Sequence, residues 1–424
     1  MAIIVPDFIR SRLSLPVAIL GGGVSGEGAR ALAGALGVES RIYDARGETF
    51  TADAARRHEV VVYSPGFAAS HPWIELARVA DCLCLSELDF ASLFWQGKVI
   101  AVTGTNGKTT LTEFLTHGLR SLGLKAHATG NIGFPLSKLV VQEQGGAAAT
   151  YAVCEVSSFQ AEDLKHLKPN ATLWTNFAED HLERHSSMES YFAAKWNLVS
   201  RTPPGFVFLG SSVQRFAHAA KTVLPRGSEL ATERQEPDPA LIGTAFEAYP
   251  QRENFLLAAA WWRASRFGEI ALYSAARSFH LARHRLSRVG EFRGVTFWND
   301  SKATNFHAVE AALGRFKEPV LLIVGGKSKG GDIPAFVSRI AGRVRHAFVI
   351  GETRFALAEA FDAYAIGYTV CTTLDQAVQR SAEMAKAGDN VLLGPAFSSF
   401  DMFRNYEDRG TQFEQIVQSL GAAA

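Results

Sequence analysis

The chain of 424 residues is 20% charged and 47% apolar, a composition that excludes a wholly disordered or fibrous protein; at roughly 150 residues per domain it asks for two or three cores. Its 43 Lys and Arg nearly cancel its 42 Asp and Glu, leaving a net charge of +1. No global field therefore exists to hold nucleic acid or an anionic membrane, and an anionic substrate must be held by local groups.

The first residues carry an apolar run broken by Pro6, Asp7, Arg10 and Arg12, unlike a secretory leader. No stretch reaches the roughly 20 apolar residues of a membrane span. Cys82, Cys84, Cys154 and Cys371 lack the paired spacing of a zinc site and read as reduced thiols packed in strands. The expectation is a soluble cytoplasmic protein.

Short β-branched apolar runs at 17–20, 60–63, 99–102 and 151–154 alternate with longer amphipathic stretches, and the alternation resumes at 320–324, 347–350 and 391–393. Strand followed by helix, repeated, predicts an α/β fold with mostly parallel sheets. Such sheets bind ligands at the carboxyl ends of their strands. Residues 202–250, rich in Pro, Gly, Ser and charge and without clear periodicity, read as a surface excursion of a middle domain.

Gly21-Gly22-Gly23-Val24-Ser25-Gly26 follows the first run, and Asp44 ends the strand-like 41–43. Formally this is G-x-G-x-x-G with a later acid, compatible with an NAD(P)-dependent oxidoreductase, but the motif alone is weak and no nicotinamide-side catalytic set accompanies it. A second glycine unit starts near 95, where the run 99–102 leads into Thr103-Gly104-Thr105-Asn106-Gly107-Lys108-Thr109-Thr110 and a helical stretch, 111–122. Glycines there let backbone N–H groups turn inward around phosphates and the helix N-terminus adds positive dipole. Lys108 can reach the β and γ oxygens, and Thr109 offers a hydroxyl to magnesium. Val102 stands where the common P-loop has Gly, so this is a shortened variant; a tight turn alone would not call for Gly-Lys-Thr-Thr.

Glu155 opens Glu155-Val156-Ser157-Ser158-Phe159-Gln160 after a strand, which sets a hard oxygen ligand at a strand end. His181 lies in Asp180-His181-Leu182-Glu183-Arg184-His185 after the strand-like 171–175. Taken singly, the first could be a helix-capping carboxylate and the second a surface histidine. Lys195, in Tyr191-Phe192-Ala193-Ala194-Lys195, would by itself be an ordinary solvated helix lysine. Further along come Pro250-Gln251-Arg252-Glu253-Asn254, His284-Arg285, Asn299-Asp300-Ser301-Lys302-Ala303-Thr304-Asn305 and Gly325-Gly326-Lys327-Ser328-Lys329-Gly330. The last is Gly394-Pro395-Ala396-Phe397-Ser398-Ser399-Phe400-Asp401-Met402-Phe403-Arg404-Asn405-Tyr406-Glu407-Asp408-Arg409-Gly410.

Together these segments resemble the signatures of the Mur ligase family. The resemblance implies three domains: a Rossmann-like 1–94 for the uridine nucleotide, a central P-loop-type ATPase over 95–282, and a Rossmann-like 283–424 for the amino acid. It implies ATP-dependent addition of glutamate, expected in the D configuration, to UDP-N-acetylmuramoyl-L-alanine through an acyl phosphate, by a bacterial cytoplasmic monomer that takes no nucleic acid or membrane as partner. ATP is expected at Thr103, Gly104, Thr105, Asn106, Gly107, Lys108, Thr109, Thr110, Asn254, Arg285 and Asp300. Two magnesium ions are expected at Thr109, Glu155, His181 and a CO2-derived carbamate on Lys195. Lys302 joins Lys108, Glu155, His181 and Lys195 as catalytic. The uridine nucleotide falls to Val24, Ser25, Asp44, Arg46, Asn131 and Ser157. Thr304 and Lys329 would hold the α-carboxylate of glutamate, with Ser399 and the backbone near Tyr406 taking the side-chain carboxylate. Pro250, Gln251, Ser287, Gly394, Tyr406 and the bulky Phe397 depart from the family pattern. An L-glutamate-adding ligase, a folylpolyglutamate synthetase-like ligase and a non-catalytic nucleotide binder stay open on these residues.

Overall fold

The computed structural model describes residues 3–230, 232–233, 236 and 238–422. Among them three β-sheets form. The first has four strands, β1 (Val17–Leu20), β2 (Ser40–Tyr43), β3 (Val60–Tyr63) and β4 (Leu83–Ser86), all parallel in the order β2-β1-β3-β4. The second has β5 (Lys98–Thr103), β6 (Ala126–Gly130), β7 (Tyr151–Glu155), β8 (Ala171–Trp174) and β9 (Val207–Leu209), also all parallel, in the order β6-β7-β5-β8-β9. The third comprises β10 (Ser287–Phe292), β11 (Val295–Asn299), β12 (Val320–Gly325), β13 (Val344–Ile350), β14 (Gly367–Val370) and β15 (Asn390–Leu393), ordered β10-β11-β15-β12-β13-β14. Only the β10–β11 pair in it is antiparallel.

The chain divides into two compact units. One is Met1–Phe177 with Glu189–Phe279; the other is Ala178–Met188 with His280–Ala424. In the first unit the alternation of side chains along a strand sorts residues onto two faces. Val17 and Ile19 of β1 enter one core, and Ala18 and Leu20 enter another. The first of these cores does not stop at its own sheet: it continues through Val99, Ala101, Ala152 and Cys154 of the second sheet. Polar groups lock the same junction. Asp89 is fully buried and accepts N–H groups from Lys165 (3.0 Å), His166 (2.8 Å) and Leu167 (2.8 Å). Glu87 accepts from the Ser137 N–H at 2.9 Å, and burial holds its carboxyl above the ordinary range. In the second unit β12 repeats the two-faced logic, with Val320, Leu322 and Val324 in one core and Leu321 and Ile323 in the other.

Two expectations need correction. The stretch 202–250 is not wholly a surface excursion, because it contains the buried strand β9 and the helix Ser211–Ala219; β9 has three residues, too short to stand out against its Pro- and Gly-rich surroundings. Of the four cysteines, all buried and free, Cys84 and Cys154 lie in strands, whereas Cys82 and Cys371 sit just outside β4 and β14. The β10–β11 hairpin turns on Arg293 and Gly294, both with positive φ (51° and 77°), as a tight two-residue hairpin loop requires. No helix among the described residues is long and apolar enough to cross a membrane.

Candidate functional site

In the first unit β5 leads through the glycine loop into the helix Lys108–Ser121, and neighbouring strands shape that loop. Gly104 has φ +144°, and a Cβ there would stand 1.9 Å from Thr175 Oγ1. Gly107 caps the helix in the left-handed region, where a Cβ would stand 2.7 Å from Asn254 Oδ1. The end of β8 clamps the turn: the Asn106 N–H donates to Asn176 Oδ1 (2.8 Å), the Thr105 N–H to Asn176 O (3.0 Å), and Thr175 Oγ1 to Asn106 O (2.6 Å). Lys108 Nζ donates to the carbonyls of Gly104 (3.0 Å) and Thr105 (2.9 Å), which holds its ammonium over the loop. Thr103 and Thr110 are buried and Thr109 half-buried. Asn254, on the helix Gln251–Ala264, thus reaches the same loop from far along the chain.

Lys195 is not a solvated helix lysine. It is 1% exposed, on the helix Met188–Ser200, and its Nζ donates to Gly104 O (3.1 Å) and Thr103 Oγ1 (3.3 Å) while lying 4.9 Å from the centre of the Tyr191 ring. Glu155 ends β7 at 3% exposure. Its Oε1 accepts from Asn131 Nδ2 at 3.1 Å, and its Oε2 is buried with no hydrogen-bond partner. A buried carboxylate oxygen left unsatisfied is costly, and beside the glycine loop it has the hard-ligand chemistry that magnesium takes. The donors present therefore fit a metal–nucleotide group.

At the first sheet, Asp44 accepts the N–H groups of Gly22 (2.9 Å) and Arg46 (3.1 Å), and these bonds hold its carboxyl below the usual range. A Cβ on Gly26 would stand 1.9 Å from Gly21 O, so the helix Val24–Ala35 can start this close to the turn only with glycine there. Val24 is exposed, with Ser25 beside it on the helix's first turn. Ser157 caps the helix Ser158–Glu162 in a reciprocal box with Gln160.

The remaining residues fall in the second unit. There a cleft is lined by Glu179, Asp180, Thr304, Asn305, Lys329 and Phe397, among others. Lys329 Nζ lies 3.6 Å from Asp180 Oδ1 and 3.5 Å from Thr304 Oγ1, and Asn305 Nδ2 donates to Asp180 Oδ2 at 3.0 Å. His181 takes a left-handed backbone (φ +55°) at the start of the helix Leu182–His185; burial holds its imidazole below the ordinary value against the pull of Asp180 and Glu183, which favours the neutral ring a metal needs. Arg285 Nε is buried without a hydrogen-bond partner. Asp300 accepts the Leu286 N–H at 3.0 Å, and although the residue as a whole is only half-buried, enclosure of its carboxyl pushes it up to about 7. Lys302 Nζ donates to Tyr406 OH at 3.0 Å.

Thr304 and Lys329 therefore share a cleft, whereas Ser399, which is buried, and Tyr406 lie outside its lining. Sequence reasoning gave Asp180 no role, although it stands next to His181; its pairing with Lys329 and Asn305 closes only in the fold. Phe397 lines the cleft and packs edge-on to Phe306 at 5.4 Å.

Residues 102–255 match the Mur ligase middle domain, and residues 284–397 match the Mur ligase glutamate ligase domain. Over 418 residues the chain is 34% identical to a UDP-N-acetylmuramoylalanine–D-glutamate ligase of Aquifex aeolicus, a match covering 94% of this chain and 98% of that one. This chain belongs to the Mur ligase family. The ligase of the same name from Gloeobacter violaceus is 34% identical over 426 residues, covering 95% and 94%. Among solved structures, UDP-N-acetylmuramate-alanine ligase MurC from Thermotoga maritima superposes with a TM-score of 0.58 at 16% identity, covering 96% of this chain and 99% of that one. A pseudomurein peptide ligase type C from Methanothermus fervidus does so at 0.59 and 15%, covering 96% and 100%. At that identity the likeness concerns the fold alone: the three-sheet α/β architecture is that of Mur ligases. The middle-domain match spans the glycine loop, Glu155, His181, Lys195 and Asn254, whereas Ser399 and Tyr406 lie beyond the end of the second match.

Proposed function

We propose that this Mur ligase joins D-glutamate to UDP-N-acetylmuramoyl-L-alanine, with cleavage of ATP to ADP and phosphate, in peptidoglycan synthesis. The observation that carries the reading is similarity to D-glutamate ligases over nearly the whole length of both chains. The substrate carboxylate takes the γ-phosphoryl of ATP, giving an acyl phosphate and ADP. The amine of glutamate then attacks the acyl carbon, phosphate leaves, and an amide remains.

The residues divide this work as their chemistry suggests. Thr103, Gly104, Thr105, Asn106, Gly107 and Thr110 cradle the phosphates with backbone and hydroxyl donors, Lys108 offsets the charge that develops on the transferred phosphoryl, and Asn254 flanks the nucleotide. Arg285, Asp300 and Lys302 are further ATP-binding or catalytic residues of the same reading. Magnesium, when bound, would supply positive charge to offset the phosphates; Thr109, Glu155 and His181 would hold it, with Lys195 as a fourth. As an ammonium, Lys195 would repel the ion. The neutral amine adding CO2, with loss of a proton, becomes an anionic carbamate that attracts it. Val24, Ser25, Asp44, Arg46, Asn131 and Ser157 receive the uridine nucleotide. Thr304 and Lys329 take the α-carboxylate of glutamate, and Ser399 with the backbone at Tyr406 takes the other. The domain limits 1–94, 95–282 and 283–424 and action as a bacterial cytoplasmic monomer belong to the same reading.

The test is phosphate release with MgATP, UDP-N-acetylmuramoyl-L-alanine and D- or L-glutamate in parallel. Release with D-glutamate, absent when any component is omitted, is the expected result; release with L-glutamate alone would overturn the stereochemistry. Lys195→Ala should lose about a hundredfold or more in kcat and recover part of it with added short carboxylic acids. Full activity without additive would contradict the carbamate.

A further inference from the structure

Arg409 has no part in the site drawn so far, yet its side chain is 0% exposed. Its hydrogen bonds go to neutral oxygens: Nε to Ser301 Oγ (3.0 Å), Nη2 to Ser301 O (2.8 Å), and both Nη1 and Nη2 to Phe397 O (3.3 Å). Asp401 is the carboxylate whose charge acts on it; its Oδ2 accepts the Glu352 N–H at 2.8 Å, and its Oδ1 is buried with no hydrogen-bond partner. Burial lowers the guanidinium to about 9, which still leaves it charged at neutral pH. A buried cation is costly to hold, and replacing a buried ion pair as a whole by apolar side chains is often neutral or stabilising. Stability alone therefore does not account for an arginine here.

What the side chain spans does account for it. Ser301 follows β11 and precedes Lys302 and Thr304; Phe397 follows β15 and lines the cleft. The third strand end is also within reach, since a Cβ on Gly326, beyond β12 and ahead of Lys329, would stand 3.4 Å from Arg409 Nη1. Lys327 and Ser398 exchange backbone hydrogen bonds (2.9 and 3.2 Å), and Ser301 Oγ donates to Tyr406 O (2.8 Å) at the start of the helix that carries Arg409. Two strand ends are thus tied by hydrogen bonds through a single planar fork that the third approaches, and Ser301 links them to the helix start, immediately behind the cleft that gathers Thr304 and Lys329.

We propose that Arg409 is a positioning residue that sets amino-acid affinity: its guanidinium fixes the loops carrying Thr304, Lys329 and Phe397 in register, and its enclosed charge makes their wall electropositive toward a dicarboxylic amino acid. The inference rests on the function proposed above. Arg409 donates to no substrate atom; it acts through the Ser301 and Phe397 carbonyls.

The test uses the full chain with Arg409→Met, which keeps length and removes charge and fork, and Arg409→Lys, which keeps charge and loses the fork. KM for D-glutamate, for ATP and for UDP-N-acetylmuramoyl-L-alanine is measured with Tm. The expected result is a glutamate KM raised about tenfold or more in Arg409→Met and less in Arg409→Lys, with the other two KM values within about twofold of wild type. An unchanged glutamate KM in a folded variant would overturn the proposal. So would a rise of all three KM values together with a fall in Tm, the pattern of a merely structural arginine. If Arg409→Met fails to fold, Arg409→Lys decides by the same readouts. Wild-type enzyme inactive with D-glutamate would instead sink the functional reading, and this inference with it, whereas active wild type with unaffected variants would sink this inference alone.

Discussion

A carboxyl group enclosed by protein prefers to keep its proton, and Asp300 is in that position, pushed from 3.8 up to about 7 chiefly by burial, against the Leu286 N–H and the charge of Arg285. The sign of the consequence follows from proton counting. Below about pH 4 both folded and unfolded chains hold the proton; between that and about pH 7 the folded state binds it more strongly, so stability falls as pH rises. Above about 7 the folded protein must keep a buried carboxylate, and the penalty is complete. Asp300→Asn removes the titration while keeping an acceptor for the Leu286 N–H. The Tm of the variant minus that of wild type should therefore be larger at pH 8 than at pH 5. Thermal melts across that range check it, and a difference independent of pH would refute the assignment. Lys195 poses the opposite problem, a buried amine against the carbonyl of Gly104, and its enclosure could not be read from a helical pattern that solvates most lysines.

At the scale of elements, the glycine loop is where sequence and geometry agree most closely. Strand, Gly-Thr-Asn-Gly-Lys-Thr-Thr and helix occur in the expected order, since the two glycines are demanded by φ values and contacts that admit no Cβ. Gly104→Ala should shift the loop off Thr175 and abolish nucleotide binding with modest loss of fold, as helix Lys108–Ser121 packs through Leu111, Phe114, Leu115 and Leu119. Fluorescent-nucleotide titration beside a thermal melt tests this, and wild-type affinity in the variant would disprove the steric argument. The long β-branched runs were legible because a strand buried on both faces must be apolar throughout. β6, whose sequence is Ala-His-Ala-Thr-Gly, and the short β9 carry no such signal. Side-chain pairings that close over long separations were equally hidden. Asn305 and Asp180 are 125 residues apart, and Arg409 and Ser301 are 108 apart, so no local pattern announces either.

For the molecule as a whole, cooperativity should follow cores and not sheets. An α/β fold with mostly parallel sheets was foreseeable from the strand–helix alternation, but nothing local says that Val17 and Val62 of the first sheet share a core with Ala101 and Cys154 of the second. Two compact units therefore predict two unfolding transitions. Leu136 belongs to the shared core of the first unit and Leu322 to a core of the second, both fully buried. Truncating a buried leucine to alanine costs about 2–5 kcal/mol, which for units of this size moves a midpoint by on the order of 10 °C. Leu136→Ala should lower one calorimetric transition and Leu322→Ala the other. If the first and second sheets melted separately, three transitions would appear and Leu136→Ala would move two of them. If both substitutions displaced a single common transition, the chain would unfold as one block and the division into units would have no energetic meaning. Under the two-unit outcome, MgATP alone should raise chiefly the transition that Leu136→Ala lowers, because the glycine loop, Lys195 and Asn254 all belong to that unit.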